Sequence, residues 1–172
     1  MSRRTRVYAW RGVDEPRFEV AFVDLQGDRL AAQGTQLGLD YRLDYALETG
    51  SRFVSDRLRL ECRRAGGTRT LDLRRGSAPL KGEILDLDLG FSPLFNSLPV
   101  LRDALHEGGA ARDYVMAWVA VPQLAVSRSR RRYVPLERGT VRFRSGSFTA
   151  DIEFDADGFV LAYPGLAERV SR

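Results

Sequence analysis

The chain has 172 residues, 44% of them hydrophobic, with 1 Cys, 1 His and a formal net charge of +4. A single cysteine excludes an intramolecular disulfide framework and a cysteine-rich zinc site. A catalytic triad or histidine metal centre would have to be built around His106 alone. The length and apolar content suit one domain over residues 1–172 with a sizeable core, and argue against disorder.

The N-terminal MSRRTRVYAW is charged but has no apolar run behind it, so no signal peptide is expected. No apolar stretch reaches the roughly 18 residues of a transmembrane helix, and a soluble, cytoplasmic protein is the expectation. Lys81 is the only lysine among 27 basic residues, and the others are all arginine. Acidic residues are interleaved with them through both halves of the chain, so no nucleic-acid partner is expected. The densest cluster is Arg128, Arg130, Arg131 and Arg132 in SRSRRRY. It reads as a solvated strand or turn, with contact to phosphates or an anionic head group as the alternative.

Along the chain, period-two alternation dominates. Tyr41, Leu43, Tyr45 and Leu47 share one face, opposite Arg42, Asp44, Ala46 and Glu48. Leu58, Leu60 and Cys62 alternate with Arg57, Arg59 and Glu61, and place Cys62 in the core as a small hydrophobe. Turn signals fall at residues 27–28, 49–51, 66–67, 76–77, 145–146 and 157–158. Asp86 and Asp88 alternate with Leu85, Leu87 and Leu89, so both carboxylates leave the same face of one strand.

NSLPVLRDALHEGG is the exception to the strand pattern. Asn96 or Ser97 can cap a helix with Pro99 in its first turn, and Leu98, Leu101, Ala104 and Leu105 recur at helical spacing. Gly108 and Gly109 end it, with His106 near its C-terminus, where a cation suits the helix dipole. Phe148, Ala150, Ile152 and Phe154 then form another half-buried strand, followed by a DADG hairpin turn at residues 155–158 with too few oxygen ligands for calcium. The sum is a mainly β, α+β protein: a curled antiparallel sheet of ten or more strands, a roll, half-barrel or barrel, with one short helix packed on it.

EILDLDLGFSPLFNSLPVLR at residues 83–102, VPQLAV, RRYVPL and FTADIEFDADGFVLAYPGLAERV together resemble the putative glycolipid-binding family, formerly a domain of unknown function. The matching positions are Asp88; Ser92, Pro93, Asn96, Leu98, Pro99 and Arg102; Pro122, Leu124 and Val126; Arg132 and Tyr133; and Asp155, Gly158, Val160, Tyr163 and Pro164. Ser92 replaces the usual Thr, Phe95 stands where a second Thr is common, Leu101 replaces the first of two arginines, and Phe53 sits where many members have Trp. The resemblance implies a spiral β-roll wrapped around one helix, remotely like the bacterial lipoprotein carriers. It also implies an acidic pocket suited to sugars, and a homodimer.

Candidate ligand-binding residues are Asp86, Asp88, Asn96, Arg102, Tyr133 and Tyr163. On a concave face Asp86 and Asp88 would make an acidic patch for sugar hydroxyls; on an edge they would face solvent. They stand about 7 Å apart on a strand but point the same way, which does not suit two carboxyls flanking a scissile glycosidic bond. Arg102 can pair with a buried carboxylate such as Asp88, or with an anionic head group. Tyr133 and Tyr163 can supply ring surface and a hydroxyl to a ligand, or be core residues with one wet end. No catalytic residue, metal or cofactor is assigned. The reading is a non-enzymatic binding protein for a small amphipathic ligand such as a glycolipid, in a partly acidic pocket between sheet and helix. The alternatives are a carboxylate-dependent enzyme acting on a sugar or lipid conjugate, and a dimeric interaction scaffold.

Overall fold

The computed structural model describes residues 4–78 and 80–170. The first six strands are β1 Arg4–Gly12, β2 Phe18–Gln26, β3 Arg29–Leu37, β4 Tyr41–Thr49, β5 Ser55–Arg64 and β6 Gly67–Arg74. Strand β7 Asp86–Leu89 leads into the helix α1 Pro93–Asp103. Then follow β8 Arg112–Val119, β9 Val126–Pro135, β10 Thr140–Ser145, β11 Phe148–Phe154, β12 Val160–Tyr163 and β13 Ala167–Arg169. All belong to one sheet in the order β6-β5-β4-β3-β2-β1-β13-β12-β11-β10-β9-β8-β7. Two antiparallel meanders thus run outward from the β1–β13 seam, where Trp10 lies opposite Arg169. The expected curled antiparallel sheet is present, with one exception: β7 pairs parallel to β8.

Alternation builds the inner surface. On β4, Leu43, Tyr45 and Leu47 are buried while Arg42 and Glu48 are exposed. Arg42 and Asp44 bond each other on the wet face, as do Arg57 and Asp72 across β5 and β6. The sheet curls until its β7 end lies inside, and β7 is consequently packed on both faces. Leu87 and Leu89 join a core with Leu43, Tyr45, Leu58 and Leu60 of the first meander and Phe95 of the helix. Asp86 and Asp88 point the other way, in register with Met116 and Trp118 of β8. That side holds the second core, including Met116, Tyr133, Phe143, Ile152 and Tyr163.

The helix begins earlier than the expected cap at Asn96 or Ser97. Ser92, in extended conformation, is the N-cap residue and Pro93 opens the first turn, where a missing N–H costs nothing. Asn96, Ser97 and Pro99 are therefore helix-interior residues. Every residue from Pro93 to Val100 is buried, so the helix is an axle enclosed by sheet rather than an amphipathic ridge lying on it. Ala104 ends it in the left-handed region at φ 50°, and a 3-10 turn, Leu105–Glu107, carries the buried His106. Gly158, at φ +81°, turns the β11–β12 hairpin directly over this end; a Cβ there would lie 2.8 Å from Leu101 Cδ2. Asp155 closes the hairpin by accepting from the N–H groups of Asp157 and Phe159.

Gly34 has a different reason to be glycine. It lies opposite Tyr45 across β3 and β4, and a Cβ on it would come 2.3 Å from Tyr45 Cζ and 2.4 Å from the hydroxyl oxygen. The Tyr45 ring, folded over this bare backbone, makes an edge contact with Phe95 of the helix at 5.6 Å between centroids. Gly34→Ala should therefore destabilise the protein by about 1–3 kcal/mol in urea denaturation, the usual cost of overpacking. A change below about 0.5 kcal/mol would show that the Tyr45 seat is not constrained.

Candidate functional site

Strand β7 sends its two carboxylates toward the second core, and each meets a different arginine. Asp86 is gripped by Arg102 of α1 through two parallel bonds, Nη1 to Oδ1 at 2.7 Å and Nη2 to Oδ2 at 2.6 Å. These side chains are only 1% and 3% exposed. Both Asp86 oxygens are occupied. Burial pushes the Asp86 carboxyl above its ordinary range, against the pull of Arg102. Asp86 and Arg102 therefore tie strand to helix and do not line a hollow.

Asp88 sits differently. Arg131 of β9 approaches only its Oδ2, with Nε at 3.2 Å and Nη2 at 3.1 Å, while Nη1 is donated to the hydroxyls of Ser129 and Ser145. Oδ1 of Asp88 has no hydrogen-bond partner among the described residues, and the side chain keeps 14% of its surface exposed. Burial raises this carboxyl too, with Arg131 pulling the other way. Asp88 forms part of a hollow of about 350 Å³ with Phe91 and Ser92 at the helix entrance, Asn96 of α1, Trp118 of β8, Arg131, and the aromatic side chains Phe143, Phe148 and Tyr163. Phe143 makes edge contacts with both Phe148 and Tyr163, at 6.1 and 6.0 Å between centroids.

The six candidate residues thus divide evenly. Asp88, Asn96 and Tyr163 meet around one hollow; Asp86, Arg102 and Tyr133 do not line it. Tyr133 is 1% exposed, with its hydroxyl accepting from Asn96 Nδ2 at 3.0 Å, and so positions Asn96 from beneath. Arg102 does pair with a buried carboxylate, but that carboxylate is Asp86 rather than Asp88. Asn96, Tyr163 and Trp118 also line the hollow, and no hydrogen bond among the described residues engages Asn96 Oδ1, the Tyr163 hydroxyl or Trp118 Nε1. Such a set offers acceptors, a donor and a bifunctional hydroxyl beside ring faces. The Asp88–Arg131 pair makes its floor dipolar rather than purely acidic.

Sequence reasoning passed over Arg131, Trp118, Phe143 and Phe148 as parts of this site. Parity could have found the first, because Arg131 shares the face of Tyr133 while Arg130 and Arg132 take the opposite one. Glu19 was also missed. It is 2% exposed at an inward position of β2. Its Oε1 accepts from Tyr45 (2.8 Å) and from Ser92 (2.6 Å), and Gln36 Nε2 approaches Oε2 at 3.5 Å. Gln36 also donates to the Gly90 carbonyl at 3.3 Å. Glu19 thereby anchors the 90–92 rim of the hollow from behind. Burial pushes its carboxyl up to about 7.

A larger hollow of about 700 Å³ lies on the outer face of β2–β6, against outward residues such as Phe22, Thr35 and Ala46. Its charged residues are already neutralised within the sheet: Asp44 by Arg42, Asp72 by Arg57, Arg59 by Glu48 and Glu61 by Arg63. Size alone does not make it the better site. Among the described residues no group of three or more His, Cys, Asp or Glu could hold a metal ion, and no helix is long and apolar enough to cross a membrane.

The chain belongs to the family described as Putative glycolipid-binding, whose model matches residues 7–169. The fold is similar to the crystal structure of a DUF1089 family protein from Pseudomonas aeruginosa, with a TM-score of 0.75 and 24% identity over 94% of this chain and 95% of that one. No curated protein matches.

Two measurements check this site. Asp86→Ala strands the Arg102 guanidinium in the interior and should cost about 3 kcal/mol in denaturant, whereas Asp88→Asn, at the partly open pair, should cost under about 1.5 kcal/mol. Equal losses would show that the two pairs are not different in kind. Glu19 has a native pKa raised above its unfolded value, so its contribution to stability is complete below pH about 4.5 and is lost as pH rises through about 7. The stability of wild type relative to Glu19→Gln should therefore fall between those limits, and a difference independent of pH would contradict the buried carboxylate.

Proposed function

We propose that the hollow around Asp88 binds the sugar headgroup of a glycolipid and does not turn it over. The observation that carries the reading is an aromatic-walled hollow lined by Asp88, Asn96 and Tyr163, in which Asp88 Oδ1 has no hydrogen-bond partner among the described residues. Sugars present hydroxyl groups around an apolar ring face, and acceptors beside aromatic rings match both. The family description points to the same ligand class.

The volume of about 350 Å³ lies at the low end of small-molecule sites and suits a headgroup of one or two rings, not acyl chains as well. The helix is enclosed by packed side chains, so chains would leave by the mouth, past Phe91 and Phe148, which are 39% and 49% exposed. The carboxylate chemistry favours binding over hydrolysis. A glycosidase needs two carboxyls across the scissile bond, and here Asp86 is consumed by Arg102.

Trp118 in the wall supplies a fluorescence probe. Titration with alkyl glycosides and with a phospholipid of the same chain length should show quenching by the glycosides alone. Asp88→Asn and Tyr163→Phe should each weaken affinity about 10-fold, as expected for losing a charged or buried hydrogen-bond partner. Absence of glycoside binding, or affinity untouched by both substitutions, would overturn the assignment.

A further inference from the structure

We propose that the β10–β11 hairpin tip and the arginine face beside it dock on a bilayer carrying anionic lipids. This rests on the reading of the Asp88 hollow as a headgroup site, but concerns a separate surface. Across β9 and β10, Arg132 lies directly opposite Arg144, and Arg130 is the next outward residue on β9. Like charges set opposite each other weaken a sheet, so an arginine pair in this register needs a counter-charge. Arg132 has one in Asp113, at 2.6 Å. Arg130 and Arg144 reach no carboxylate among the described residues, unlike most arginines of this chain. The remaining acid at their hollow of about 420 Å³ is Glu83, which is already bound to Arg128. The face therefore holds two guanidinium groups without a direct ion pair among the described residues, and Asp151, already bonded to Arg142, acts on Arg144 only from a distance.

The hairpin tip connects this face to the ligand hollow. Arg144 and Gly146 border the arginine side, while Ser145 and Phe148 border the ligand side. Half-exposed Phe148 thus stands at the mouth, with Arg144 on the opposite face of the same hairpin. Cations combined with an apolar ring match a lipid interface, where headgroup charge and the acyl boundary are met together. A single-stranded nucleic acid could also meet arginines and a stacking ring. Basic and acidic residues interleave through both halves of the chain, however, and the position of Phe148 at the mouth of a headgroup hollow favours the lipid surface. Docking there would set the mouth against the layer from which a glycolipid headgroup is lifted.

Sedimentation with vesicles of phosphatidylcholine, with and without phosphatidylglycerol and free of glycolipid, tests this. Wild type should bind the anionic vesicles and release in high salt. Each unpartnered arginine should contribute about fivefold, so that Arg130→Gln with Arg144→Gln loses about 25-fold. Phe148→Ser should lose severalfold. Arg138→Gln, which removes a charge with no ion pair among the described residues at the far end of β10, should be nearly neutral. Glycoside affinity of the Arg130/Arg144 variant in solution should be unchanged, separating this proposal from the assignment of the hollow. No preference for anionic vesicles, an equal loss in Arg138→Gln, or binding to RNA without binding to vesicles would each overturn it.

Discussion

Strand β7 is buried on both faces, and the rest of the molecule is arranged to make that tolerable. A strand at the inner end of a curled sheet has no wet side on which to leave polar residues. DLDL therefore sends two leucines into one core and two carboxylates into the other, where an unpaired charge would cost several kcal/mol. Each carboxylate has its own arginine, one from the enclosed helix and one from β9. These two pairs fix the height of the helix against the strand and the approach of the second meander.

The pairs are alike in composition but not in completeness. Asp86 and Arg102 meet edge to edge with all carboxylate oxygens used, the geometry that makes arginine suitable for buried pairing. Arg131 meets Asp88 through one oxygen only, because its remaining nitrogen is drawn to Ser129 and Ser145. One carboxylate serves the fold and the other has an oxygen to spare, although they stand two residues apart. A similar division holds at the rim, where Glu19 takes the Ser92 hydroxyl that would otherwise be available to cap the helix.

Much of the fold was legible because alternation reports directly which side of a strand is wet. The faces of β4, β5 and β11, the turns at Gly27, Gly146 and Gly158, and the existence of one short helix follow from local pattern. The helix start did not, since Ser92-Pro93 and Asn96 through Pro99 offer rival cap and proline signals, and tertiary enclosure favoured the first. The parallel pairing of β7 with β8 was also invisible, as nothing local distinguishes it. At the site, alternation placed Asp86 and Asp88 on one face but could not separate their roles, because the partners come from residues 102 and 131. Tyr133 and Tyr163 were equivalent in sequence; only packing puts one beneath Asn96 and the other in the wall. Trp118, Phe143 and Phe148 converge from three strands, a juxtaposition without local trace.

The central claim is that Asp88, not Asp86, faces a ligand. A crystal structure with a bound alkyl glycoside tests it most directly. The predicted result is a sugar ring between Trp118, Phe143 and Tyr163, with a hydroxyl donating to Asp88 Oδ1 and the Asp86–Arg102 pair undisturbed. A glycoside seated instead on the outer face of β2–β6, or held without contact to Asp88, would contradict it.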